Sequence, residues 1–298
     1  MVRQYKIHTN LDGTDDKVWD VTNGKVRFYQ PSNLGLQSTN NIWQSNGIGV
    51  MGTRSINQPQ IEFKLETFGE SLEENYQLMK DFVNDIISKK FVTLEYQTEI
   101  FQVYADLALA DVTKTEGYGK NGTFSEKITF DVITKWYTYE NLTFDKIKNG
   151  KVIAGKSKIY GGTAPGNYKY IKGISYTYYG ESNIDRLSRW DIKDEIFSFM
   201  GILYPQLPKT PTGVRFLDDI GNEYTAIVFK TEQVLDYILI NTDVNDEIYQ
   251  GWNGTTSLNL FPVMDFERYR TRIIKHGQME LINLTKAEFK IKRKADFI

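Results

Sequence analysis

Two histidines, His8 and His276, are the only imidazoles available for acid–base work near neutral pH in 298 residues. They stand far apart, each in strand or turn context, where a histidine is more often a packing residue than a general base or zinc ligand. There are no cysteines, which removes disulfides, thiolate metal sites and a cysteine nucleophile. The sequence contains no G-x-S-x-G, no H-E-x-x-H and no phosphate-cradling loop with its lysine and hydroxyl. Asp218-Asp219 precede Ile220-Gly221-Asn222, and such a pair could be half of a glycosidase site, although adjacent carboxylates in a turn are usually solvated. Asp243-Val244-Asn245-Asp246 opens like a calcium loop, but Ile248 stands where that loop needs glycine and the terminal glutamate is missing. The expectation is a protein that is not an enzyme, with no catalytic residues, no metal and no cofactor.

The elements that position these residues are bounded first by composition. Lysine plus arginine number 36 against 38 aspartate plus glutamate, a net charge of -2. That balance argues against a protein that coats nucleic acid or an anionic membrane. No run of about 18 apolar residues occurs, so no membrane-spanning helix is expected. The start, Met1 to Lys6, lacks the apolar core of a signal peptide, and the sequons at Asn121, Asn141, Asn253 and Asn283 are therefore read as chance. The 19 tyrosines and 17 phenylalanines suit a β-rich protein that meets partners through aromatic surfaces. At 298 residues, two domains are expected.

The stretch 59–94 reads as strand, helix, strand. Ile61, Phe63 and Leu65 alternate with charged residues, as in a half-buried strand. Ser71-Leu72-Glu73-Glu74 spells a capping box, with Glu74 expected to reach back to the Ser71 amide. Leu72, Tyr76, Met79, Val83, Ile86 and Ile87 then form one apolar stripe over a helix at 71–88, with Lys89 and Lys90 at its negative end. Around it the chain is punctuated as β-structure: strands at 4–9 and 18–21, and Asn23-Gly24 as a hairpin turn into Val26-Arg27-Phe28. Asn-Gly recurs at 46, 121, 149 and 253. The polar, glycine-rich run 37–57 is either a loop or a long exposed hairpin able to reach a neighbouring subunit. Strands follow at 101–109 and 124–132, and the alternation stops near 139–141.

The second half opens with Val152-Ile153 and a Gly/Pro-rich hinge at 161–166. An aromatic insertion of about 168–207 follows, holding Tyr168, Tyr170, Tyr176, Tyr178 and Tyr179. It ends in Trp190 and a short helix through Ile192, Ile196, Phe197 and Met200, capped by Asp191 and closed by Gly201. Short strands from 213 onward suggest an antiparallel sandwich of jelly-roll or galectin type.

Several features belong together: Pro31-Ser32-Asn33-Leu34-Gly35, the strand 61–66, the capped helix, the strand 91–96, Thr113-Lys114-Thr115-Glu116 and Phe130-Asp131-Val132-Ile133-Thr134-Lys135-Trp136-Tyr137. In this order they resemble the distal tail proteins of siphophages, close to the lactococcal phage type, over the whole chain. These are diffuse structural patterns that identify the family by accumulation. The resemblance implies a mainly β chain with one long helix: an N-terminal ring-forming domain (1–140) and a C-terminal galectin-like sandwich (141–298) carrying an arm-and-hand insertion. It implies a homohexamer, in single or stacked rings, that joins the tail tube protein to the tail tip protein in the virion. Receptor-binding protein trimers sit on its rim and DNA passes through the channel; no membrane is involved. By that analogy 37–57 or 113–122 clasps the neighbour, and Tyr176, Tyr178, Tyr179, Trp190, Phe197 and Phe199 are the partner contacts. The alternative is a carbohydrate-binding module with Trp252 as its aromatic platform beside Asn253. A third reading, glycoside hydrolase, needs two convergent carboxylates.

Overall fold

The computed structural model describes residues 3–13, 15–35, 37–114, 123–145 and 189–295. The chain divides into two compact units, Met1–Thr138 with Ala295–Ile298, and Tyr139–Lys294. The first holds β1 (Gln4–His8), β2 (Val18–Asp20), β3 (Val26–Ser32), β4 (Gln37–Ser45), β5 (Ile48–Asn57), β6 (Ile61–Thr67), α1 (Leu72–Ile87), β7 (Val92–Gln97), β8 (Gln102–Thr113) and β9 (Ser125–Val132). Seven of these strands form an antiparallel sheet in the order β2-β1-β7-β8-β9-β6-β3. The alternation at Ile61, Phe63 and Leu65 puts all three in the core, because β6 is paired on both sides and buries one face. Phe28, Phe63, Phe82 and Phe130 meet there, with Tyr5 stacked on Tyr96.

Helix α1 is capped as expected at one end of the box: Ser71 Oγ accepts from the Glu74 amide at 3.1 Å. The other half differs, since Glu74 takes the Glu70 amide (2.7 Å) and so secures the residue before the cap. Lys89 and Lys90 lie beyond the C-cap at Ser88, outside the last helical turn. The buried face is also rotated from the expected stripe. It runs through Asn75, Phe82 and Ile86, flanked by Leu78, Met79 and Val83, while Leu72, Tyr76 and Ile87 are exposed. Asn75 is buried because its amide serves the turn before the helix, accepting from the Gly69 amide at 2.6 Å and donating to the Ser71 carbonyl at 3.0 Å.

Asn23-Gly24 is not a hairpin turn. Neither residue takes positive φ. The Gly24 amide donates to the Asp20 carbonyl at 3.0 Å, and the Asp20 carboxylate accepts from the Thr22 and Asn23 amides. A helical-type turn held by an aspartate replaces the left-handed pair. Asn46-Gly47, by contrast, has φ of 51° and 79° and joins β4 to β5 with Ser45 opposite Ile48, as a two-residue hairpin requires.

The second unit contains β10 (Tyr137–Asp145), which starts at its border, β11 (Arg189–Ile192), β12 (Ile196–Pro205), β13 (Thr212–Leu217), β14 (Glu223–Phe229), β15 (Tyr237–Asn241), β16 (Ile248–Asn253), β17 (Thr256–Asn259), β18 (Gly277–Ile282) and β19 (Leu284–Lys294). Two antiparallel sheets, β17-β16-β15-β12-β19-β10 and β11-β18-β13-β14, enclose one core that includes Phe199, Phe216, Ile240, Leu281 and Phe289.

The helix expected around 190–201 is absent; β11 and β12 stand in its place. The reason is a β-bulge between Ile196 and Ser198 that adds Phe197 to the strand and shifts its alternation. Ile196 and Phe199 therefore face the core three residues apart, after which 199, 201 and 203 alternate as in an ordinary strand, and Phe197 and Met200 are only half-buried. Gly201 ends nothing: a Cβ there would lie 2.8 Å from the Phe289 ring, so glycine makes room for that ring. Because β11 and β12 belong to the two sheets, the insertion expected over about 168–207 does not extend across them; 168–188 lie outside the described residues.

The buried face of α1 can be tested by contrast. Phe82→Ala should lower unfolding stability by about 3–5 kcal/mol by leaving a cavity, while Leu72→Ala should stay within about 0.5 kcal/mol. Urea denaturation of the isolated chain reads both.

Candidate interaction surface

The hairpin β4–β5 pairs with no other strand among the described residues. Its register runs from Gln37 opposite Asn57 to Ser45 opposite Ile48, with an irregularity between Asn40 and Ile42. Opposed residues share a face, so Trp43, Val50 and Ile48 lie on one side and Ile42 and Met51 on the other. Every residue of both strands is exposed, Trp43 and Ile48 each to 70%. A two-stranded hairpin is marginal in water, and one that displays tryptophan, isoleucine, valine and methionine on both faces is built to be covered. The sequence left 37–57 open between loop and hairpin; turn geometry at Asn46-Gly47 was the signal for the hairpin. The other candidate, 113–122, is described only to 114.

Of the six expected partner contacts, Tyr176, Tyr178 and Tyr179 lie outside the described residues. Trp190 on β11 is half-buried and packs on the core of its own unit. Phe197 is the half-buried extra residue of the bulge. Phe199 corrects the expectation: it is buried against Phe216 (5.9 Å) and Phe289 (5.8 Å), and a ring enclosed by two others presents no surface to a partner.

The residues singled out for chemistry are engaged in structure. His8 on β1 is buried, its Nδ1 2.6 Å from Asp16 and its Nε2 2.9 Å from Glu95 on β7; Lys6 Nζ completes the group at 2.9 Å from Glu95. Both ring nitrogens are occupied, so neither is free to move a proton to or from a substrate. Burial alone would lower the His8 pKa, but hydrogen bonds with Glu95 and Asp16 outweigh it and hold the pKa above its ordinary 6.5. The bond to His8, aided by Lys6, brings Glu95 down to about 2. His276 and Asp219 form an exposed pair at 2.8 Å, and Asp218 accepts the Ile220 and Asn222 amides of its own turn.

In the loop that opens like a calcium site, Asp243 accepts the Asn245 amide at 3.0 Å and the buried Lys292 ammonium at 2.9 Å. That ammonium neutralises the carboxylate where a calcium site would place its ion. Trp252 stacks on Tyr237 (6.1 Å, 14° between planes), which covers one of its faces. Asn253 Nδ2 donates to the Val234 carbonyl at 3.0 Å, so its amide holds the turn.

Two outcomes follow from these pairs. The raised His8 pKa contributes stability that is complete below 6.5 and lost as pH rises through the folded value; the depressed Glu95 pKa contributes above 4.5 and is lost as pH falls toward about 2. Urea midpoints should therefore decline as pH rises from 6.5, and His8→Gln should flatten that decline. Lys292→Met should cost about 3–5 kcal/mol, because Asp243 keeps a buried charge without its ammonium; thermal unfolding measures it.

Comparison with known proteins agrees across the length of the chain. The N-terminal domain of the distal tail protein family matches residues 4–133, and the Dit C-terminal domain matches 135–298. The distal tail protein of Lactococcus phage p2 is 94% identical over all 298 residues, covering 100% of both chains. A solved structure of the phage p2 baseplate in its activated conformation with calcium contains a chain that is 94% identical over 100% of both chains, at a TM-score of 0.79. The crystal structure of SPP1 Dit, described as a paradigm of the hub adsorption apparatus in phages infecting Gram-positive hosts, shares the fold at 10% identity, with 100% coverage of both chains and a TM-score of 0.56. The chain belongs to the distal tail protein family.

Proposed function

We propose that the chain is a structural hub of a siphophage tail baseplate, a virion component that works through interfaces and not through catalysis. Its relative from phage p2, 94% identical, stands in a baseplate structure. The observation that carries the reading is hairpin β4–β5, whose apolar residues are exposed on both faces and require a partner surface. In this reading the hairpin lies on the next copy of the chain, and six copies close a ring, because a head-to-tail contact closes when its rotation repeats a whole number of times. The ring joins tail tube protein to tail tip protein, leaves a channel for DNA and carries receptor-binding protein trimers on its rim. Tyr176, Tyr178 and Tyr179, with Trp190 and Phe197 at its edge, remain the proposed contacts to those trimers; Phe199 does not. The engagement of His8, Asp218 and Asp243 within the fold supports a role without a reaction centre.

The test is the mass of the purified chain by size exclusion with light scattering over a range of concentrations. A species near six or twelve chains is expected. Trp43→Ser with Ile48→Ser should weaken assembly by the about 2 kcal/mol or more that an interface anchor supplies, while the unfolding midpoint of the single chain holds. A wild type that stays a monomer at high concentration, with the tail proteins present, overturns the ring.

A further inference from the structure

We infer that Asn46-Gly47, at the tip of hairpin β4–β5, is a site of spontaneous covalent modification that turns the neutral tip acidic. Three Asn-Gly dipeptides fall within the described residues, and their geometry ranks them. The reaction needs the glycine amide nitrogen as nucleophile. At Asn23 that amide is held by the Asp20 carbonyl at 3.0 Å. At Asn253 it is held by the Asp236 carboxylate at 2.6 Å, and the Asn253 side chain is tied to the Val234 carbonyl. Among the described residues no acceptor takes the Gly47 amide, and both Asn46 and Gly47 are exposed. The left-handed backbone at Asn46 must open before attack, but among the described residues no third strand pairs with the hairpin to resist that opening.

In the step itself the Gly47 nitrogen gives up its proton and bonds to Asn46 Cγ. The Cγ–Nδ2 bond breaks and ammonia leaves with the proton, which closes a succinimide. Water then opens the ring at either carbonyl, giving aspartate or isoaspartate; nothing is oxidised or reduced. Either product places a carboxylate at the tip. Isoaspartate also inserts a carbon into the main chain of a two-residue turn whose register sets Ser45 opposite Ile48. The chemistry stands on the single chain. That assembly would shield the tip rests on the proposed function.

The experiment is peptide mapping by mass spectrometry of the full chain after incubation in mildly alkaline buffer, scoring Asn23, Asn46 and Asn253. Asn46 should convert first, with isoaspartate present. Asn253 should lag by roughly ten- to a hundredfold, because a bond to a carboxylate must open first, and Asn23 severalfold. Asn46→Ser should remove the leading signal while Asn23 and Asn253 keep their rates. Equal rates at all three positions, or an unchanged Asn46 beside a converted Asn253, overturn the site. Monomer and assembled fractions are mapped separately. Equal conversion of Asn46 in both would reject the seated hairpin and leave the modification standing.

Discussion

Hairpin β4–β5 has two strands and therefore no interior, yet it carries Ile42, Trp43, Ile48, Val50 and Met51 into solvent. A sheet hides apolar side chains by setting one face on another layer, and among the described residues no second layer covers this ribbon. That constraint gives the hairpin an outward requirement. The seven-stranded sheet and helix of the first unit share one apolar core, and the two sheets of the second enclose another. What is left unburied on the hairpin is the reason to look for a partner surface.

The polar groups that might have suggested chemistry follow the opposite logic. His276 and Asp219 pair at the surface, while His8 and Asp243 are drawn inward and matched. His8 is gripped at both nitrogens by Asp16 and Glu95, and Lys6 answers the second oxygen of Glu95. Lys292 answers Asp243, and Glu280, buried, is met by the Arg215 fork. A catalytic group must keep one valence for its substrate. Matched groups of this kind tie strands and loops together at positions where an unpaired charge would be costly.

Local misreadings of the sequence have physical causes that are visible in the fold. The helix expected near 190–201 rested on Ile192, Ile196, Phe197 and Met200; Phe197 and Met200 are only half-buried, and the extra residue at Phe197 shifts the strand's alternation so that Ile196 and Phe199 face the core. The stripe assigned to α1 was right in Met79, Val83 and Ile86, which pack on the core, and wrong in its other three residues. Phe82 and Asn75 occupy the buried side, and Leu72, Tyr76 and Ile87 do not. Nothing in spacing alone marks Asn75 as buried, since its role is to bind the turn at Gly69.

Sequence by itself determined the β-rich composition, the one long helix capped at Ser71 and the absence of thiol chemistry. All depend on residue identity or on neighbours within a few positions: Ser71 three residues from Glu74, Ile61 two from Phe63. The accumulated patterns were also enough to point to the family. Tertiary structure decided which apolar residues face inward, that Phe199 is core and not contact surface, that both nitrogens of His8 are taken, and that Asp243 finds an ammonium on β19. Those outcomes join residues 87 and 49 positions apart. Long-range partners are chosen by strand register and by the shape of the packed core, and neither is encoded in the spacing of a single segment.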